Sequence, residues 1–315
     1  MLSRVADSIY WINRYIERAE NIARFVDVNF NLMLDFPGAQ QQWEPLVITT
    51  GDHDLFYERY GEASEANVVK FLAFDTKYPH SIASCLQFAR ENARSVREII
   101  SSEMWEQINN FYWLIKNADP SQINLPAFFQ SIKQNSHLFT GITNATFSHG
   151  EGWHFGRMGR YLERADKTAR ILDVKYYILL PAPSDVGSLL DEVQWVSLLR
   201  SASAYEMYRK QGQHRITPAG VAEFLVLDRN FPRSIHFCVS QIAESMYAIT
   251  GSPIGAWSND AERTLGKLRA KLDFITPAEI FQQGLHEFLD NLQQDLNLVD
   301  DEMFKQFFSL EALPA

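Results

Sequence analysis

Between residues 4 and 34, apolar side chains recur at helical spacing (Ile9, Ile12, Ile16, Ala19, Ala23, Val26), and residues 152–180 repeat the pattern. Each stretch predicts a long helix with one apolar face. The opposite face is charged in a fixed order. RYIERAENIARFVDV, from Arg14, and RYLERADKTARILDV, from Arg160, agree at nine of fifteen positions, where unrelated segments would share about one. Gln42-Trp43 returns as Gln194-Trp195, and FLAFDTKYPHSIASC from Phe71 returns as FLVLDRNFPRSIHFC from Phe224. The offset between copies drifts from 146 to 152 to 153 residues, so the order is kept with few insertions. A repeat of this length decides the architecture. It predicts an all-α helical bundle of two tandem units, 1–148 and 149–315, related by a pseudo-two-fold and packed as one body.

No sustained period-two alternation or Gly-containing hairpin signal competes with the helical reading. Pro79 and Pro232 each precede an apolar periodic run and are expected at the first helical position, where a missing N–H costs nothing. Thr276-Pro277-Ala278-Glu279 predicts a capping-box start. Breaks are expected near Phe36-Pro37-Gly38, Asp119-Pro120 and Pro181-Ala182-Pro183.

Composition changes this picture little. At 46% hydrophobic and 22% charged residues over 315 positions, the chain has an ordinary globular balance. A net charge of −10 argues against a nucleic-acid partner. No run approaches the ~18 apolar residues of a membrane span, and charges come too early for a signal peptide. Cys85 and Cys238 occupy equivalent repeat positions, each expected as a small buried hydrophobe, and so few cysteines suit a cytoplasmic protein.

The charged stripe carries the candidate chemistry. On a helical wheel Glu17 sits among Arg14, Glu20, Arg24 and Asp27, with Arg18 at the border; Arg160, Glu163, Arg164, Asp166, Arg170 and Asp173 reproduce this. A solvated face with pairs such as Glu20–Arg24, each worth about 0.2–0.5 kcal/mol, is one reading. Yet an exposed Arg is easily replaced, and here three matched arginines and the central Glu persist, which suits planar bidentate pairing. The alternatives are a buried Glu–Arg network joining the repeats and a ligand site built from these arginines. In an enzymatic reading, Glu17 or Glu163 would be the general acid/base, provided burial raised its pKa.

A second cluster breaks the repeat. ARENARSVRE, from Ala89, sets Arg90, Arg94 and Arg97 at i, i+4 and i+7, expected on one helix face. The second unit keeps Glu91 as Glu244 but replaces the arginines by Ala243, Tyr247 and Thr250. The cluster suits a carboxylate or phosphate, or pairs with Glu91, Glu98 and their neighbours. Glu151 and His154 have the spacing of one di-iron half-site, but Val5 and Ser8 stand at the matched positions, so a metal centre is not expected. Phosphate-loop, dinucleotide, nucleophile-elbow and zinc Cys-x-x-Cys motifs are absent. Asp75 and Asp228 are expected as turn residues.

MLSRVADSIYWINRYIERAENIAR at the N-terminus, ARENARSVREIISSEMWEQ from Ala89 and EGWHFGRMGRYLERADKTAR from Glu151 resemble the bacterial alpha-E family over essentially the whole chain. The family is all-helical, tandemly duplicated and named for a Glu-Arg motif, which the resemblance places at Glu17-Arg18 and Glu163-Arg164. The copies differ locally in Lys167-Thr168 against Asn21-Ile22. Such proteins are typically encoded or fused beside circularly permuted ATP-grasp proteins, which resemble carboxylate–amine ligases, and beside transglutaminase-like proteins. The resemblance implies a role in making or modifying peptide-like amides, and no cofactor. With neither an activated nucleophile nor a metal set in the sequence, the expected role is an accessory that binds the ligase or a carboxylate-bearing peptide. An enzyme of its own and a purely structural helical protein are the alternatives.

Overall fold

In the computed structural model, residues 1–35, 43–177, 187–212, 215–253 and 255–309 are described, and among these every regular element is helical. α1 (Ser3–Asp35) and α8 (Glu151–Tyr177) are the two long helices that the periodicity predicts. At 1.5 Å per residue they run about 50 and 40 Å, side by side through the centre.

Each gathers its own helices. α5 (Ile82–Ser95) and α7 (Leu125–Thr146) pack on α1 and are bridged by α6 (Ser102–Lys116). In the same chain order, α12 (Ile235–Thr250) and α15 (Leu285–Met303) pack on α8 and are bridged by α13 (Asp260–Phe274). Short helices fill the connections: α2 (Glu44–Ile48), α3 (His53–Tyr60) and α4 (Glu65–Val69) in the first half. In the second half they are α9 (Leu189–Ser201), α10 (Tyr205–Lys210), α11 (Pro218–Leu227) and α14 (Pro277–Gln283). Two of them cross over, since α2 packs on α8 and α9 on α1. Wider π-turns follow α4 at Lys70–Phe74 and α15 at Phe304–Phe308, which periodicity did not foretell. One continuous apolar core includes residues of both long helices and of the helices around them.

Local chemistry explains the starts. Ser81 and Ser234 accept hydrogen bonds from the Ser84 and Phe237 amides, so they cap α5 and α12. Pro79 and Pro232 therefore lie in the turn before each cap, not at the first helical position as expected, because the serine hydroxyl is the better terminator. The capping box at Thr276 and Glu279 forms as predicted. Asp75 accepts from the Lys77 amide and Asp228 from the Asn230 and Phe231 amides, so both are turn residues. Asp119-Pro120 falls in the turn between α6 and α7, while the other two expected breaks lie outside the described residues. Cys85 and Cys238 are buried and unpaired, and burial pushes each thiol up to about 12.

The close approach of α1 and α8 depends on glycine. A Cβ on Gly159 would lie 2.4 Å from the Tyr10 carbonyl oxygen, and one on Gly156 would lie 2.6 Å from the Asn13 side-chain nitrogen. Tyr10 and Asn13 occupy the first copy's positions equivalent to Gly156 and Gly159. No described helix is long and apolar enough to cross a membrane.

Candidate functional site

Where α1 and α8 run together, the Glu-Arg pairs exchange partners. Arg164 holds Glu17 with Nε–Oε1 2.9 Å and Nη2–Oε2 2.7 Å. Arg18 holds Glu163 with Nε–Oε1 2.6 Å and Nη2–Oε2 2.8 Å. Both are fork-to-fork contacts that only a guanidinium can make. This reciprocity is the local pattern of a two-fold relation, in which residue i meets j while j meets i. Neither glutamate is more than 1% exposed, so the stripe is no solvated face. It is an internal seam of charge, and a buried charge is tolerated only when paired.

Around Glu17 the seam is closed. Arg233, from the loop before α12, donates to Glu17 (Nη1–Oε1 3.3 Å), to Asn21 Oδ1 (3.1 Å) and to Glu20. Arg24, 1% exposed, grips Glu20 through Nε and Nη2 at 3.0 and 2.7 Å and donates to the Ser201 carbonyl and Ser203. Ser136 donates to Glu20 at 2.6 Å, and His137 lies 3.2 Å away. Burial alone would raise the Glu17 carboxyl, but Arg164 and Arg233 outweigh it and Glu20's repulsion, leaving it lowered. Burial likewise opposes ionisation of Glu20, which Arg233 and Arg24 hold well below the usual range. Arg233 itself is pushed down to about 10 by burial and by Arg24 beside it, so it stays cationic near neutrality.

Around Glu163 the same plan ends differently. The acid matching Glu20 is Asp166, one methylene shorter, and the residue matching Arg233 is His80. His80 is exposed and turns to Arg18 (Nη1···Nδ1 2.9 Å). The cation that meets the acids comes instead from α8: Lys167 lies 2.7 Å from Asp166 and 3.6 Å from Glu163. Arg14 donates to Glu163 at 3.0 Å and bonds Asp300 of α15. Arg170 bonds Asp166 and donates to the Thr49 carbonyl at 2.9 Å. Burial opposes ionisation of Glu163, yet Arg18, Lys167 and Arg14 hold it well below the usual range. Asp166, also resisted by burial, is brought by Lys167 and Arg170 to about 2.

This difference leaves space. A cleft of about 320 Å³ lies over the Glu163 centre. Arg14, Arg18, Lys167, Arg170, Asp166 and His80 line it, and Ile22, Phe25, Leu46 and Leu72 supply an apolar wall. The Thr49-Thr50-Gly51-Asp52 turn, Tyr78 and Asn297 complete it. Gly51 takes φ +84°, a left-handed conformation that turns the chain from α2 into α3. Tyr78 donates to Asp52 at 2.7 Å.

The other candidates fall elsewhere. Arg160 is buried over the Tyr161 ring (5.2 Å), with its Nε unpaired, and burial and Arg164 lower its pKa. Arg90, Arg94 and Arg97 do not share a helix face: α5 ends at Ser95, and Arg97 lies in the following turn. Arg90 and Arg97 both lie over Trp105, while the exposed Arg94 pairs with Glu91. Glu151 pairs with the Met1 amine and His154 stands against Trp153, with no third ligand joining them among the described residues. The one described cluster close enough to share a metal is Asp173, His286 and Asp290. There the ring presents Nδ1 to Asp173 (2.8 Å) and Nε2 towards Asp290 (3.8 Å), so it stands between the two acids.

Sequence reasoning missed Arg233, His80, Ser136 and His137. The signal for the first two was present in the repeated aromatic-Pro-x-Ser, whose variable position is His80 in one copy and Arg233 in the other.

Residues 1–308 match the alpha-E family, described as a predicted alpha-helical domain with a conserved ER motif. Uncharacterized proteins of Mycobacterium bovis and Mycobacterium tuberculosis are 21% identical over 299 residues, covering 88% of this chain and 33% of theirs. The chain thus spans about a third of the length of the curated relatives it matches. No solved structure matches it. With the family match running through both reciprocal Glu-Arg pairs and almost to the C-terminus, this protein belongs to the alpha-E family.

Proposed function

We propose that this protein is a cytoplasmic binding component of an ATP-dependent carboxylate–amine ligation or peptide-modification system. It holds a carboxylate-bearing ligand over the Glu163 centre and works beside a circularly permuted ATP-grasp protein and a transglutaminase-like protein. The observation that supports this reading is the contrast between the two centres: one is filled by Arg233, while the other faces an open cleft with Arg14, Arg18, Lys167 and Arg170. Arginines at an open groove suit capture of an anion.

The enzymatic alternative receives less support. A general acid working near neutrality needs a raised carboxyl, whereas Glu17 and Glu163 are both lowered and both engaged by arginines.

The test is ATP turnover and amide formation by a circularly permuted ATP-grasp partner, alone and with this protein, wild type or Lys167→Met. Faster turnover or a changed product with wild type, lost with Lys167→Met, is the expected result. Turnover indifferent to both proteins would sink the proposal.

A further inference from the structure

We infer that the cleft over Glu163 takes a free α-amino acid with an apolar side chain. This rests on the reading of that cleft as a ligand site and names what enters it.

Size comes first. About 320 Å³ is at the small end of ligand pockets and admits a single amino acid with space to spare. The walls then divide by chemistry. Lys167 and Arg170 present cationic donors along α8. Lys167 has three N–H donors; Asp166 takes one at 2.7 Å and Glu163, at 3.6 Å, lies beyond hydrogen-bond distance, so donors remain for a ligand carboxylate. On the loop side, Asp52 belongs to the same cleft and receives one hydrogen bond, from Tyr78, so its carboxylate can still meet an ammonium group. Ile22, Phe25, Leu46 and Leu72 give the apolar body its place.

Charge supports a zwitterion. The cations Arg14, Arg18, Lys167 and Arg170 are matched in number by Asp52, Glu163, Asp166 and Asp300 around them. A ligand of zero net charge keeps that balance, whereas a dianion such as phosphate would meet Asp52 and Asp166 at short range. The repeat provides an internal comparison. In the Glu17 centre, Arg233 brings its own cation to two acids and an amide oxygen; in the Glu163 centre, His80 stands at that position and meets Arg18 instead of the acids.

The experiment is calorimetric titration of the full chain, without any ligase, with L-leucine, N-acetyl-L-leucine, L-leucinamide, glycine and inorganic phosphate. L-leucine is expected to bind, with each of the other four at least about tenfold weaker. Lys167→Met and Asp52→Asn should each weaken leucine about tenfold or more. His80→Arg should abolish binding by filling the cleft, with the helical circular-dichroism signal retained. No leucine binding, or leucinamide, N-acetyl-leucine, glycine or phosphate binding as tightly as leucine, would overturn the inference. A chain that stimulates the ligase but ignores leucine sinks this inference and spares the function proposed above. One that binds leucine without affecting the ligase does the reverse.

Discussion

The Glu17 and Glu163 centres are written by the same fifteen-residue stretch, yet one is closed and the other lies under a cleft. Two substitutions account for most of the divergence. Glu20 reaches Arg24, Arg233, Ser136 and His137 together, while Asp166, a methylene shorter, reaches Lys167 and Arg170 beside it on α8. Arg233 enters its centre, and His80 stays at the rim of the other. The shared parts, the two bidentate pairs, fix α1 against α8. Residues that differ between the copies decide whether anything else fits. Retention of a charged motif in both copies therefore marks the seam, and its breakdown in one copy marks the candidate site.

That contrast can be broken most directly by removing one carboxylate from each centre. Glu20→Gln leaves Arg24 buried without its acid and Arg233 with Glu17 alone, and should cost about 3–5 kcal/mol in denaturant unfolding. Asp166→Asn abandons cations that border an open cleft, and should cost at least about 1 kcal/mol less. Equal losses would mean that the second centre is as sealed as the first.

Acid sharpens the comparison next. Asp166 titrates at about 2 in the fold against 3.8 unperturbed. A depressed folded value contributes stability that is complete above the unfolded value and is lost as pH falls through the folded one. That amounts to roughly 2 kcal/mol, lost between about pH 4 and pH 2. Glu20 and Glu163, both held well below their ordinary value, steepen the same loss. Unfolding free energies measured down that range should fall for wild type and fall less for Asp166→Asn. Parallel curves would refute the assignment.

The smallest effect is expected on the α5 surface. Arg94→Ala removes an exposed pair with Glu91 and should change stability by less than about 0.5 kcal/mol. It should also leave leucine titration unaltered. A binding defect there would move the site away from Glu163.

The long helices, the capping box and the all-helical class were legible because spacing and cap chemistry are local. The importance of Glu17, Arg18, Glu163 and Arg164 was legible from their repetition, though not their exchange of partners, which depends on how two distant helices cross. The arginines at 90, 94 and 97 misled because i, i+4, i+7 spacing implies a face only while the helix lasts, and α5 ends at Ser95. His80 and Arg233 were overlooked because they lie in loops, where side-chain direction follows from the tertiary fold.

The glycines of α8 carry one more consequence. Tyr10 and Asn13 project from α1 at the positions where α8 has Gly156 and Gly159. Two first halves placed face to face would set tyrosine against asparagine on both sides and force the backbones apart, stretching the glutamate–arginine exchange. Two second halves would meet glycine to glycine and leave voids. α1 and α8 fit as lock and key on one chain. Each Glu-Arg centre therefore needs one helix of each kind, α1 with its tyrosine and asparagine against α8 with its glycines.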